Sequence, residues 1–114
     1  MDAVEIVLLY DYYGDLLTDR QKECFEMRYY QDFSLGEIGE ELGISRQGVH
    51  DNLSRTEALL RNMEAKTGCV ERDRACRKAM AVVQTAARDL QNHEDPRVSA
   101  LAAEILAAAQ TIKE

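Results

Sequence analysis

The sequence predicts an all-α chain: a helix-turn-helix domain over residues 1–67, followed by a helical hairpin over residues 68–114. Three observations carry this expectation. The 114 residues include a single proline and few aromatics, with abundant Ala, Leu, Glu and Arg, as a helical chain requires. Two candidate helix caps, Ser34 and Ser45, stand on either side of Gly43, close enough for two helices joined by a tight turn. From Ser45 onward Val49, Leu53, Thr56, Leu60 and Met63 recur every three or four residues and form one stripe along a long helix.

Taken in order, Met1 to Asp15 is dense in Val, Ile, Leu and Tyr, which predicts a first helix buried over much of its surface and ended by Gly14. Thr18 and Gln21 make a capping box for a second helix through about Tyr30, with Cys24, Phe25 and Met27 on its turns. Tyr12, Tyr13, Tyr29 and Tyr30 either offer rings on which bases stack or wedge these helices against the rest, and their neighbours Leu and Phe favour the wedge. Ser34 and Glu37 form a second capping box, with Phe33 and Ile38 placed as a hydrophobic staple over it. Gly39 is expected where a crossing helix comes close. Gly43 can take the positive φ that stops this short helix, and Ser45 caps the next, with Ile44 and Val49 as its staple. The helix begun there meets no breaker before Thr67 and Gly68, a length of about six turns.

Val70 to Asn92 form a further helix, in which Cys69, Cys76, Met80, Val83, Ala87 and Leu90 follow heptad-like steps. Asp95 as cap and Pro96 as first helical residue open a last helix through Lys113, with Val98, Leu101, Ile105, Ala108 and Ile112 as its stripe. The two are expected to pair antiparallel through alanine-rich seams, and the surplus stripe marks a self-association surface for a homodimer.

Three cysteines, Cys24, Cys69 and Cys76, read as reduced core thiols, because Cys69 and Cys76 lie two turns apart on one helix, roughly 10 Å, too far to bridge. His50 and His93 read as surface residues. Neither stands at ligand spacing from a cysteine, so no metal and no cofactor is expected. No stretch has the length of a membrane span, and the start Met-Asp-Ala-Val-Glu-Ile lacks the basic region of a secretory signal, which predicts a cytoplasmic protein. The net charge is −7 and unevenly spread. Residues 1–66 carry 7 Lys and Arg against 14 Asp and Glu, whereas residues 67–114 carry 7 of each sign. That acidity disfavours strong, indiscriminate nucleic-acid binding.

With the stripe of the Ser45 helix turned inward, Gln47, Asp51, Ser54 and Ala58 face outward, flanked by His50 and Arg55, and Arg46 stands on the exposed first turn. Gln47 and His50 carry donors and acceptors suited to base edges. Arg46 and Arg55 can hold phosphates, or instead pair with Glu41, Asp51 or Glu57 as solvated surface charges. The candidate nucleic-acid contacts are therefore Ser45, Arg46, Gln47, His50, Ser54 and Arg55. Asp51, in the midst of them, repels phosphate and accepts only from an amino group of the cytosine type.

Leu-Leu-Thr-Asp-Arg-Gln-Lys at residues 16–22, Phe-Ser-Leu-Gly-Glu-Ile at 33–38 and Ser-Arg-Gln-Gly-Val-His-Asp-Asn-Leu-Ser-Arg-Thr-Glu at 45–57 closely resemble the YlxM family of helix-turn-helix proteins. The resemblance covers about Leu9 to Met63 and implies a fold similar to region four of bacterial sigma factors, within the winged-helix-like superfamily. It further implies a cytosolic bacterial protein whose gene usually neighbours that of the signal recognition particle GTPase. By position, the sigma contacts to promoter DNA fall on Arg46, Gln47 and His50. The chain departs from sigma at Asp51, in its acidity and in having no other sigma region.

Three functions follow for comparison. The first is a regulator that binds DNA or signal recognition particle RNA through the Ser45 helix. The second is an interaction module that modulates the signal recognition particle GTPase or its receptor through its acidic domain, without binding DNA. An enzyme is the weakest: there is no phosphate loop, no nucleophile with a His and an acid at usable spacing, and no ligand cluster.

Overall fold

The computed structural model describes residues 3–112 of the chain. Within them run helices α1 (Ala3–Tyr13), α2 (Asp19–Tyr29), α3 (Leu35–Leu42), α4 (Arg46–Thr67), α5 (Cys69–Gln91) and α6 (Pro96–Ala109), with a single 3-10 turn, Gly14–Leu16, after α1. No strand is found among the described residues. Met1, Asp2 and Lys113, which the sequence reading assigned to the first and last helices, lie outside them. The chain divides into two compact units, the first running to Val70 and the second starting at Glu71.

Local chemistry sets the helix starts. Thr18 Oγ1 accepts from the Gln21 N–H while Gln21 Oε1 accepts from the Thr18 N–H, and Ser34 and Glu37 repeat this reciprocal box at the head of α3. The cap bonds from Ser34 hold the Glu37 carboxyl below its ordinary range. Asp95 caps α6 by accepting from the Arg97 N–H, with Pro96 at the first position, where a missing N–H costs nothing. Left-handed glycines, Gly43 at φ 70° and Gly68 at φ 63°, close α3 and α4.

Two apolar clusters fill the first unit. Ile6, Leu9 and Tyr13 of α1 meet Leu17, Phe25, Leu60 and Val70, while Cys24, Ile38, Val49 and Leu53 form a second core with Phe33 and Ile44 against it. Both staples thus pack beside the residues they were expected to meet. The inner stripe of α4 is buried at Val49, Leu53, Thr56 and Leu60, so this helix is the spine on which α1, α2 and α3 rest. Only one face of α1 is buried, and Val4 stays in solvent, because the helix covers α4 from one side.

The tyrosines act as wedges. Tyr10 stacks on Phe25 with ring centroids 4.1 Å apart, and Tyr29 lies 4.5 Å from the same ring. Their hydroxyls take up carboxylates: Tyr10 donates to Glu26 at 2.7 Å, Tyr30 to Asp11 at 3.2 Å, and Tyr29 to Glu57. Tyr13 donates to Glu64 Oε1 at 2.6 Å, and since its single proton is used there, the Thr67 hydroxyl 2.6 Å away is the donor of that bond. The Val70 N–H also reaches Glu64 Oε1, at 3.0 Å, tying the end of α4 and the start of α5 to α1.

In the second unit α5 is followed by α6, with Ser99 Oγ donating to the Gln91 carbonyl at 2.9 Å across the turn. Its seam differs from the predicted one. Ala87, Ala102 and Ala109 are buried, whereas Val83, Leu90, Leu101, Ile105, Ala108 and Ile112 are exposed and Val98 is half-buried. The small residues thus lie inward and the larger ones stand on the flank of the seam. The cysteines differ from the core thiols expected: Cys24 is buried and Cys69 half-buried, but Cys76 is exposed. Burial raises the Cys24 thiol above its ordinary pKa, which leaves it an inert core group.

Candidate nucleic-acid interface

The reading surface is built by the turn between α3 and α4. Ser45 Oγ accepts from the Gly48 N–H at 2.9 Å, so the hydroxyl holds the first turn of α4. Gly39 makes the turn tight: a Cβ there would sit 2.6 Å from the Ile44 carbonyl oxygen. The nearest neighbour is the backbone of the turn, with the first residue of the next helix, Arg46, at 3.6 Å, so the close approach expected at Gly39 is made at the very start of α4. The Ile44 N–H in turn donates to the Gly39 carbonyl at 3.0 Å, which fixes the angle at which α4 leaves.

Ser45, Arg46, Gln47, His50, Ser54 and Arg55 are all exposed. They are not one cluster. Arg46, Gln47 and His50 line a shallow concavity with Leu35 of α3. Arg55 lies on the other side of α4, in a polar groove with Thr18, the cap of α2, with Arg20 and Gln21 of that helix, and with Gly48, Asp51 and Asn52. Ser54 lines neither and continues the outward face. Asp51 stands between the two hollows: Gln47 Nε2 donates to its Oδ1 at 3.0 Å, and His50 Nδ1 is 3.6 Å from the same oxygen. The carboxylate thus holds the Gln47 amide and lies close to the His50 ring.

Arg46 and Arg55 form no ion pair or hydrogen bond with the described residues, which sets aside pairing with Glu41, Asp51 or Glu57 and leaves both guanidinium groups open to phosphate. Glu57 is engaged by Tyr29 instead. Two contributors escaped the sequence reading. Arg20 joins the groove from α2 while one of its nitrogens reaches the Leu42 carbonyl at 3.4 Å, and Leu35 supplies an apolar contact of the kind a thymine methyl meets. Nothing in the local pattern around Thr18 says that α2 crosses α4 at this level. No three metal-ligating side chains converge among the described residues, and no helix of these is long and apolar enough to cross a membrane.

Comparison with known proteins agrees with this geometry. Residues 2–97 match the model of the family described as "Putative helix-turn-helix protein, YlxM / p13 like". The chain is 44% identical to a UPF0122 protein of Thermoanaerobacter sp. over 105 residues, covering 91% of this chain and 90% of the relative. It is 49% identical over 83 residues to one of Caldanaerobacter subterraneus, covering 73% and 71%. A third relative, from Acetivibrio thermocellus, is 53% identical over 73 residues, 63% of this chain and 62% of its own length.

Proposed function

The chain belongs to the YlxM / p13-like helix-turn-helix family, and from that premise we propose that it is a cytoplasmic, non-enzymatic regulator that binds nucleic acid with the first turns of α4. The observation that supports this most is the pair of unpartnered guanidinium groups, Arg46 and Arg55, set on either side of exposed Gln47 and His50. In a groove, such a helix places arginines on the two phosphate walls and the amide and imidazole on base edges. The N-terminus of α4 adds its partial positive charge, and Ser45 can donate its hydroxyl proton to a phosphate while its oxygen keeps the cap. Ser54 extends the same face. The target is duplex DNA or signal recognition particle RNA, and the protein acts as a homodimer presenting two such helices.

Titration of duplex DNA and of the particle RNA at low salt tests this. Two to four phosphate contacts give a log-log salt slope of about −2 to −4. Absence of binding to both would leave the second reading, a module that modulates the particle's GTPase or its receptor. That reading draws on the acidity of residues 1–66, which steers the domain toward basic protein surfaces. Its own test is co-purification of the GTPase or receptor with the intact chain.

A further inference from the structure

Asp51 carries the wrong charge for a phosphate, yet its contacts give it another use in the middle of the reading face. Gln47 Nε2 donates to its Oδ1 at 3.0 Å. A carboxylate cannot donate, so the Gln47 amide has one orientation there, with its nitrogen toward Asp51 and Oε1 turned away. Only one amide hydrogen is taken. The second N–H stays beside Oε1, and together they are the donor and acceptor that fit N7 and N6 of adenine. His50 Nδ1 lies 3.6 Å from the same Oδ1, whereas Oδ2 meets no partner among the described residues. The Asp51 side chain is 54% exposed, so this second oxygen is open to a ligand. It can only accept, and the partners a major groove offers it are amino groups, N4 of cytosine foremost.

We propose that Asp51 and Gln47 act as one unit that reads an adenine and a neighbouring cytosine on one strand of duplex DNA. Asp51 is both the contact to cytosine and the positioning residue for Gln47. This specificity rests on the nucleic-acid reading above and gives it a sequence. Spacing supports it: the two side-chain heads are 3.0 Å apart, close to the roughly 3.4 Å between successive bases of a strand. Arg46 lies with Gln47 in one hollow and Arg55 with Asp51 in the other. A cation on each side can therefore hold phosphate while the carboxylate meets a base edge instead of the backbone. Duplex DNA is the fitting class because its major groove admits a helix and displays both amino groups, whereas that of an RNA duplex is too narrow for side chains to read. A guanine or thymine opposite Asp51 would set a carbonyl oxygen against the carboxylate, so the residue that attracts cytosine also rejects them.

The experiment is selection by the full-length chain, at low salt, from DNA duplexes with a randomised centre, followed by anisotropy on the enriched sequences and their single-base changes. The wild type is expected to enrich sites with an adenine next to a cytosine on one strand, and to lose about tenfold in affinity when that cytosine becomes thymine. Asp51→Asn keeps an acceptor for Gln47 but puts an amide nitrogen in place of Oδ2. In this variant the adenine preference should stay, and the preference for cytosine over thymine should fall to within about twofold. Gln47→Ala should do the reverse, keeping cytosine and losing adenine. Asp51→Ala should weaken both, because Gln47 is then no longer held in place. All of these changes lie on the exposed face, and unchanged circular dichroism shows that the fold is kept. Retained duplexes without adjacent adenine and cytosine overturn this specificity while nucleic-acid binding stands, as does an Asp51→Asn variant that discriminates cytosine from thymine as the wild type does. Retention of no duplex overturns it together with DNA as the target.

Discussion

Two glycines of α3, given the same substitution, should respond with opposite signs. Alanine is about 1 kcal/mol better than glycine in a helix interior, and less near the first turn, so Gly36→Ala should stabilise by about 0.5 kcal/mol. Nothing stands in its way: the nearest atom to a Cβ at Gly36 is Ser34 Oγ at 3.9 Å. At Gly39 the same methyl lands 2.6 Å from the Ile44 carbonyl oxygen, more than half an ångström inside ordinary contact. Backbone cannot rotate away as a side chain can, and the turn is clamped by the Ile44 to Gly39 hydrogen bond of 3.0 Å. Overpacking of this kind costs about 1–3 kcal/mol, which outweighs the propensity gain, so a net loss of about 1–2 kcal/mol is expected. For a domain of this size that is a fall in Tm of about 5–10 °C. Urea denaturation of the wild type and both variants, followed by far-ultraviolet circular dichroism, measures the differences. If Gly39→Ala is as stable as Gly36→Ala, the tight turn is not what places α4, and the geometry assigned to the reading surface is wrong.

Further outcomes follow from other residues. Thr56 is wholly buried and its hydroxyl has no hydrogen-bond partner among the described residues, so Thr56→Val should raise stability by about 1 kcal/mol in the same denaturation assay, and a loss would show a partner for that hydroxyl. Tyr10, Tyr13, Tyr29 and Tyr30 all have raised pKa values, first through burial; at Tyr29 the bond to Glu57 adds to it, to about 12. A folded pKa above the unfolded one contributes stability in full below about pH 10 and loses it as pH rises through the folded values. Stability should therefore be flat with respect to these groups from pH 7 to about 10 and fall steeply between about pH 10 and 12, less so in Tyr29→Phe; an identical decline in that variant would contradict the assignment. Asp51→Asn keeps an acceptor for Gln47 but removes the charge, worth about 0.7 kcal/mol against a phosphate ~6 Å away in a water-like dielectric. Binding of nucleic acid should tighten about threefold, measured by anisotropy at low salt, with sequence preference reduced; unchanged affinity would mean that Asp51 does not face the ligand.

The caps and stops were legible because each depends on residues within four of one another. Thr18 with Gln21, Ser34 with Glu37, Ser45, Gly43, and Asp95 with Pro96 each set a boundary that their own hydrogen bonds or φ values explain. The inner face of α4 was legible for the same reason, since a stripe broken by no polar residue but Thr56 has one way to be buried. What escaped depends on distance in the chain. The rotation of α6 was misjudged because bulk was assumed to mark the seam, whereas Ala102 and Ala109 are the residues buried and Leu101 and Ile105 stay exposed. Arg20 was missed because its place beside Arg55 comes from the packing of α2 across α4, whereas the close approach at Gly39 was legible, though its nearest atom belongs to the turn that leads into α4.

The central claim is that α4 offers its first turns to the phosphates and bases of a nucleic acid. The direct measurement is the salt dependence of binding to duplex DNA and to the particle RNA, for the wild type, Arg46→Ala and Arg55→Ala. With Arg20, Arg46 and Arg55 on phosphates, the wild-type slope on DNA should be about −2.7, and each substitution should reduce its magnitude by about 0.9 while the fold is kept. Slopes that stay the same in both variants, or no binding to either nucleic acid at low salt, would contradict it.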